Sequence, residues 1–130
     1  MALRWCRLNW YNMNQITRET YKVDAEGQIL GRMAVDIAIH LIGKHRPDFQ
    51  KHIDAGDVVE VTNVDKMVVT GKKLDQKEYF HHTQYPGGIK SKSMGVLMKE
   101  NPAEVLRKSV SRMLPKNKHR EERINRLKIS

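Results

Sequence analysis

The chain of 130 residues carries 24 Lys and Arg against 15 Asp and Glu, which gives a formal charge of +9 at pH 7. This length suits a single domain with an ordinary core, and the positive charge favours a polyanionic partner, above all nucleic acid. The lone cysteine, Cys6, excludes an intramolecular disulfide framework and a cysteine-rich zinc module, and the apolar runs are too short to cross a membrane.

The first twenty residues, MALRWCRLNWYNMNQITRET, differ in composition from the rest of the chain. Three arginines and both tryptophans precede the first acidic residue, Glu19. Organellar presequences share this Arg-containing, acid-poor composition. We interpret residues 1–20 instead as an N-terminal arm that docks late or against a partner, and residues 21–130 as a single domain.

From Tyr21 onward the pattern predicts a short strand, YKVDA, followed by a helix. Apolar residues of the helix recur at the i, i+3, i+4, i+7 spacing of one buried face, while Arg32, Asp36 and His40 lie opposite. The predicted buried residues are Leu30, Met33, Ala34, Ile37, Ala38, Leu41 and Ile42. Gly43 is expected to end the helix and to open a basic loop.

Two β-rich runs follow the basic loop. They cover residues 58–62 and 67–70, and the turn-forming Asn63 and Asp65 separate them. A strand, a helix and a further strand in this order predict a right-handed crossover in a parallel or mixed sheet, and therefore an α/β fold.

The last third of the chain is predicted to be largely helical. Asn101 as cap, Pro102 at the first helical position and Glu104 in the first turn mark a helix start, and Pro115 prevents a smooth continuation. The predicted inner face consists of Val105, Leu106, Ser109, Val110 and Met113.

Beyond this helix, the segment PKNKHREERINRLKIS has six Lys and Arg against two Glu, a net charge of +4. We interpret residues 113–128, MLPKNKHREERINRLK, as the strongest single RNA anchor, because a bend at the proline presses donors and backbone toward an RNA groove. In a renewed helix, Arg123 and Arg126 would share the side that meets phosphate, and Ile124 and Leu127 would share the side that holds the domain.

Motifs for catalysis and cofactor binding are incomplete in this chain. The spacing in GQILG lacks the third glycine of a dinucleotide-binding fingerprint. The stretch VVTGKK has Lys66 where a phosphate-binding loop needs its first glycine, and Lys73 where it needs Ser or Thr. The neighbouring His81 and His82 point to opposite faces of an extended chain, which disfavours a shared metal ion, and no nucleophile motif accompanies them. We predict no cofactor, no metal ion and no catalytic residue.

The segment YFHHTQYPGGIK predicts a loop that lies against RNA. Tyr79, Phe80 and Tyr85 offer flat faces to unstacked bases, the two histidines offer ring donors, and the paired glycines permit close backbone approach. The alternative for Tyr79 and Phe80 is packing in the core. The candidate RNA-binding residues of the whole chain are Arg32, Lys44, His45, Arg46, Lys51, His52, Lys72, Lys73, His81, His82, Tyr85, Gly87, Gly88, Lys90, Lys116, Lys118, His119, Arg120, Arg123 and Arg126.

Four segments carry a resemblance to a known family. They are VDAEGQILGRMA, GKHRPDFQKHIDAGDVVEVTNVDKMVVTGKK, YFHHTQYPGGIK and MLPKNKHR. In this order and spacing the chain resembles the thirteenth protein of the large ribosomal subunit over about residues 21 to 128. The resemblance implies a three-layer α/β/α fold with a small, mostly parallel central sheet, and a structural, non-enzymatic role in the large subunit.

The partners implied by the resemblance are large-subunit ribosomal RNA and neighbouring large-subunit proteins, with no membrane and no small-molecule substrate. We expect the ribosome to be cytoplasmic, with a mitochondrial or plastid ribosome as the alternative. The residues alone leave two other functions open: a free regulatory protein that binds messenger RNA, and a nucleotide-handling α/β enzyme whose charge captures substrate.

Overall fold

The computed structural model describes residues 17–130, so most of the predicted arm lies outside the described residues. The strands are β1 (Thr20–Asp24), β2 (Val58–Thr62), β3 (Glu78–His82), β4 (Ile89–Ser93) and β5 (Leu127–Ile129). The helices are α1 (Leu30–Ile42), α2 (Lys73–Gln76), α3 (Met94–Glu100), α4 (Pro102–Met113) and α5 (His119–Asn125), with a short 3-10 turn at Val64–Lys66.

The central sheet has three parallel strands in the order β1-β2-β5. Val61 of the middle strand pairs with Val23 on one side and Ile129 on the other, so the last residues of the chain are built into the sheet. A mixed α/β fold with a small, mostly parallel sheet is thereby confirmed. The middle strand contributes the buried Val59 and Val61 to the core, as alternation along a half-buried strand requires.

The second β-rich run does not form a strand, so its prediction is wrong. Only Val68 pairs, in an isolated parallel bridge with Ile29. Its N–H donates to the Gln28 carbonyl, and the Leu30 N–H donates to the Val68 carbonyl. Because α1 begins at Leu30, the partner backbone turns helical immediately and leaves nothing for a longer ladder.

Helix α1 buries the whole face that its periodicity predicts. Gly43 ends it in the left-handed conformation, at φ 84°, and donates its N–H to the carbonyls of Ile39 and His40. Helix α1 packs against α4 and against β2. Arg32 and Asp36 are exposed as predicted, whereas His40 is half-buried because the loop after α1 folds back over it.

Helix α4 begins as predicted: the Asn101 side chain accepts a hydrogen bond from the Glu104 N–H at 3.2 Å. Its inner face contains Val105, Leu106 and Val110, all fully buried. Met113 was expected there but is 39% exposed. The helix ends at this residue, and Leu114, in extended conformation, takes the buried place instead.

Candidate nucleic-acid interface

Two of the predicted basic segments meet at one groove. The groove has a volume of about 480 Å³ and lies between the loop after α1 and the segment after α4. Its lining residues are Ile42, Lys44, Phe49, Lys51, Met113, Leu114, Pro115, Asn117 and Arg123. Apolar side chains form its floor, and the exposed Lys44 and Lys51 bring positive charge to its rim. Lys116 and Lys118, also exposed, are the sequence neighbours of Asn117, which lines the groove.

The loop after α1 is held in place by Asp57, whose side chain is almost fully buried. This carboxylate accepts hydrogen bonds from the Glu19 N–H at 3.1 Å and from the Arg46 guanidinium, and it pairs with His45 Nε2 at 2.8 Å. Both basic side chains were predicted to face RNA. Their donors instead turn inward, because a buried carboxylate must be paired.

A second buried carboxylate, Asp54, fixes the end of the chain. Its oxygens accept hydrogen bonds from Arg123 Nε at 2.9 Å and from the Arg126 guanidinium at 2.6 and 3.0 Å. Burial alone would raise the pKa of Asp54, but hydrogen bonds and charge from Arg126 and Arg123 hold this pKa below its usual value. The Arg126 guanidinium also donates to the Leu41 carbonyl at the end of α1.

The predicted orientation of these two arginines is therefore wrong. Arg123 is only 2% exposed, and it faces the protein together with Ile124 and Leu127 instead of opposite to them. The renewed helix is also shorter than predicted, since α5 ends at Asn125 and Leu127 opens β5. The three-residue spacing correctly placed both arginines on one side of the segment. It could not show that this side faces Asp54.

The remaining residues of this segment divide into two groups. The Arg120 guanidinium donates to the carbonyl and the hydroxyl of Ser111, at 2.6 and 2.8 Å, and so binds the last turn of α4. His119 Nδ1 lies 3.6 Å from Oε2 of Glu122 on the same helix, α5. Lys116 and Lys118, by contrast, make no ion pair with any residue in 17–130.

The segment YFHHTQYPGGIK forms a β-hairpin rather than an irregular loop. Strands β3 and β4 are antiparallel and place His81 opposite Lys90, and His82 opposite Ile89. The Thr83 N–H and hydroxyl both donate to the Gly88 carbonyl, which closes the turn. A Cβ on Gly88 would lie 1.9 Å from the Thr83 hydroxyl, so the close approach of these two residues requires glycine.

Several other residues that were predicted to bind RNA are exposed, some on this hairpin and some on other elements. His81, His82, Tyr85, Gly87 and Lys90 are exposed on the hairpin. Exposed positions elsewhere are Arg32 on α1, His52 in the loop after α1, and the Lys72–Lys73 pair at the start of α2.

Tyr79 belongs to the core, which was the alternative prediction for it. Its side chain is buried, and its ring lies 5.0 to 5.5 Å from the cationic groups of Lys77, Lys108 and Arg112. Burial lowers the pKa of Lys77, and the nearby Arg112 and Lys73 lower it further. Lys108 and Arg112 were not among the predicted RNA-binding residues, although their i, i+4 spacing places them on one stripe of α4.

One group of side chains has the residue types of a metal site. The ligand atoms of His40, His45 and Asp57 lie within 4.8 Å of one another. The Arg46 guanidinium shares the same carboxylate, however, and its positive charge opposes a divalent cation. His45 and Arg46 pair with this carboxylate, and the His40 ring packs against the His45 ring at 4.4 Å between centroids, so the group is better explained as internal contacts that hold the loop.

Within residues 17–130, no helix combines the length and the apolar character needed to span a bilayer.

Comparisons with known proteins identify the family of this chain. The family model described as Ribosomal protein L13 matches residues 18–129. A "Large ribosomal subunit protein uL13" from Syntrophus aciditrophicus is 50% identical over 116 residues, which are 89% of this chain and 82% of that protein. Proteins of the same name from Clostridioides difficile and Thermotoga maritima are 51% and 47% identical over 114 and 115 residues, which cover 88% of this chain and 80% and 77% of theirs. The chain therefore belongs to the ribosomal protein L13 family.

Proposed function

We propose that this chain is a structural protein of the large ribosomal subunit, and that it binds large-subunit ribosomal RNA through the groove between the loop after α1 and the segment after α4. Its partners are ribosomal RNA and neighbouring ribosomal proteins. Its place is the ribosome in the cytoplasm; the relatives named above are bacterial.

One observation carries the RNA-binding part of this proposal. Lys44 and Lys51 line the groove from one part of the chain, Lys116 and Lys118 are the sequence neighbours of the lining residue Asn117 from another part, and carboxylates within the described residues neutralise none of the four. Unpaired lysines at a rim are suited to phosphates, and the apolar floor is suited to the ribose and base edges between phosphates.

The hairpin residues and three further positions complete the proposed interface. His81, His82, Tyr85 and Lys90 are exposed on β3, β4 and their turn, and Gly87 and Gly88 add no side chains to that turn. The three further positions are Arg32, His52 and the Lys72–Lys73 pair. His45, Arg46, Arg120, Arg123 and Arg126 act indirectly, by holding the loop and the C-terminal segment in position. His119 lies at the start of α5, next to the lysines.

The alternative functions gain no support. The family is one of ribosomal proteins and not of enzymes. A free regulatory protein that binds messenger RNA would share the charge pattern, but no observation favours it over a role in the ribosome.

The proposal predicts that the protein in a lysate of its own organism sediments chiefly with the large subunit. Lys116→Gln combined with Lys118→Gln should reduce incorporation into large subunits while leaving the thermal midpoint nearly unchanged, because both side chains are exposed. Lys66→Gln combined with Lys128→Gln is the matched control, since each of these exposed lysines already faces a glutamate. Sedimentation of the wild-type protein away from the large subunit would refute the function, whereas normal incorporation of the Lys116/Lys118 variant would refute the groove as the anchor.

A further inference from the structure

The two faces of the β3–β4 hairpin have opposite environments. Successive side chains of a strand point to opposite faces, so Tyr79 lies on one face, and Phe80 and His82 lie on the other. Tyr79 is 6% exposed and packs against the body of the protein, whereas Phe80 is 72% exposed. The face that carries Phe80 is therefore the outer face.

The outer face combines a flat aromatic ring with a second apolar side chain. Phe80 is paired with Ser91, whose small side chain leaves the ring uncovered, and the next pair on this face is His82 with Ile89. Phe80 and Ile89 are thus diagonal cross-strand neighbours, a distance over which long and aromatic side chains reach each other. Ile89 is 66% exposed, so the two form a continuous apolar surface rather than isolated positions.

The charge around this surface favours RNA over a basic protein as its occupant. Residues 71–93 contain five lysines against Asp75 and Glu78. Lys92 is paired with Glu100, but Lys90 makes no ion pair within residues 17–130. An exposed aromatic ring in a lysine-rich segment is suited to single-stranded nucleic acid, in which a base stacks on the ring and nearby lysines meet phosphates.

We propose that Phe80 is a stacking platform for an unpaired base of ribosomal RNA, with Ile89 and His82 framing the base. This inference rests on the proposed function and adds the kind of nucleotide that the hairpin recognises. Every base has a flat face, so the contact selects unpaired nucleotides and not a sequence.

Substitutions at Phe80 separate stacking from general apolar contact. Phe80→Leu and Phe80→Ala should weaken binding of purified, protein-free large-subunit ribosomal RNA by about five- to a hundredfold. Phe80→Trp should retain wild-type affinity or exceed it. The thermal midpoints should stay close to that of the wild type, because the ring is mostly exposed. Val96→Ala, which shortens an exposed apolar residue on α3, serves as control and should leave RNA affinity unchanged.

The salt dependence of binding gives a second, independent readout. Phe80→Leu removes no charge, so the slope of log affinity against log salt should equal that of the wild type even though the affinity is lower. If Phe80→Leu binds RNA as tightly as wild type but Phe80→Ala fails to enter large subunits, the face docks on a neighbouring protein and the stacking proposal is wrong. If the wild-type protein does not bind the RNA at all, the proposed function itself fails.

Discussion

Asp54 holds the C-terminal segment in place through two ion pairs. It joins the loop after α1 to Arg123, whose side chain is almost fully buried, and to Arg126, whose side chain is 13% exposed. Asp54→Asn should lower the free energy of unfolding by about 3 to 5 kcal/mol, because it leaves Arg123 buried with no opposite charge. Urea denaturation at pH 7 measures the change.

Glu26→Gln provides the comparison for that prediction. Glu26 makes an ion pair of 2.7 Å with Lys66, but both side chains are more than half exposed. Loss of an exposed pair costs within about 1 kcal/mol. Equal effects of Asp54→Asn and Glu26→Gln would show that the buried pairs do not hold the C-terminal segment.

His40 makes stability depend on pH. Burial lowers its pKa from the ordinary value of 6.5, and the nearby His45 lowers it further, while Asp57 and Asp36 act in the opposite direction. The unfolded chain therefore takes up a proton more readily than the folded chain, so this contribution to stability is complete above pH 6.5 and is lost as pH falls toward the lowered pKa. Urea midpoints between pH 5 and 7.5 should fall more steeply with acid in the wild type than in His40→Gln. Parallel curves would contradict this assignment.

At the scale of residues, sequence showed which side chains are basic but not which of them are buried and already paired with a carboxylate. Asp54 lies 69 and 72 positions from its two arginine partners. Arg123 and Lys116 look equivalent in the sequence, since both are cations in a basic segment. Only the fold distinguishes them, because a pair between distant positions leaves no local pattern.

At the scale of elements, the approach of the loop to α1 depends on Gly56. A Cβ at this position would lie 1.8 Å from the Leu41 carbonyl oxygen. Gly56→Ala should therefore destabilise the protein by about 3 kcal/mol or more, since backbone must move to admit the methyl group. The displaced loop carries Lys44 and Lys51, so RNA affinity should fall as well.

Gly31→Ala is the matched control for this substitution. Gly31 lies within α1, and nothing lies within 4 Å of the place where its Cβ would be. Alanine there should raise the free energy of unfolding by about 0.5 to 1 kcal/mol, because it restricts the unfolded chain and favours the helix. Thermal and urea denaturation of both variants should give shifts of opposite sign, and shifts of the same sign would contradict the packing at Gly56.

Elements with a local sequence pattern were predictable, including helices α1 and α4 and strands β1 and β2, whereas the β3–β4 hairpin and strand β5 were not. Helices α1 and α4 follow from apolar spacing and from the Asn101 cap, because these signals are local. The β3–β4 hairpin was missed because its turn covers six residues and because its strands, EYFHH and IKSKS, do not alternate apolar with polar residues. Residues 67–70 have strand composition, yet they pair only at Val68, because the chain beside them turns helical.

At the scale of the whole molecule, buried carboxylates pair with arginines, so much of the unpaired positive charge lies on exposed lysines. Asp54 and Asp57 neutralise arginines inside the protein, and the free lysines at the groove and the hairpin remain outside. The family and the function were predictable from four sequence segments together with the net charge. The groove was not predictable, because it lies between two segments about 70 residues apart that only the folded chain brings together.

This distribution predicts a steep salt dependence of RNA binding. Each phosphate neutralised contributes about 0.7 to 0.9 to the slope of log affinity against log salt, so half a dozen contacts give a slope of roughly −4 to −5. Lys116→Gln combined with Lys118→Gln should reduce its magnitude by about 1.4 to 1.8, whereas Lys66→Gln combined with Lys128→Gln should change it far less, since those lysines already face glutamates. Filter binding of protein-free large-subunit ribosomal RNA between 50 and 300 mM salt (about the range over which such slopes are measured) provides the test. A wild-type slope near zero would rule out binding through phosphates, and equal slopes in the two double variants would place the anchor away from the segment after α4.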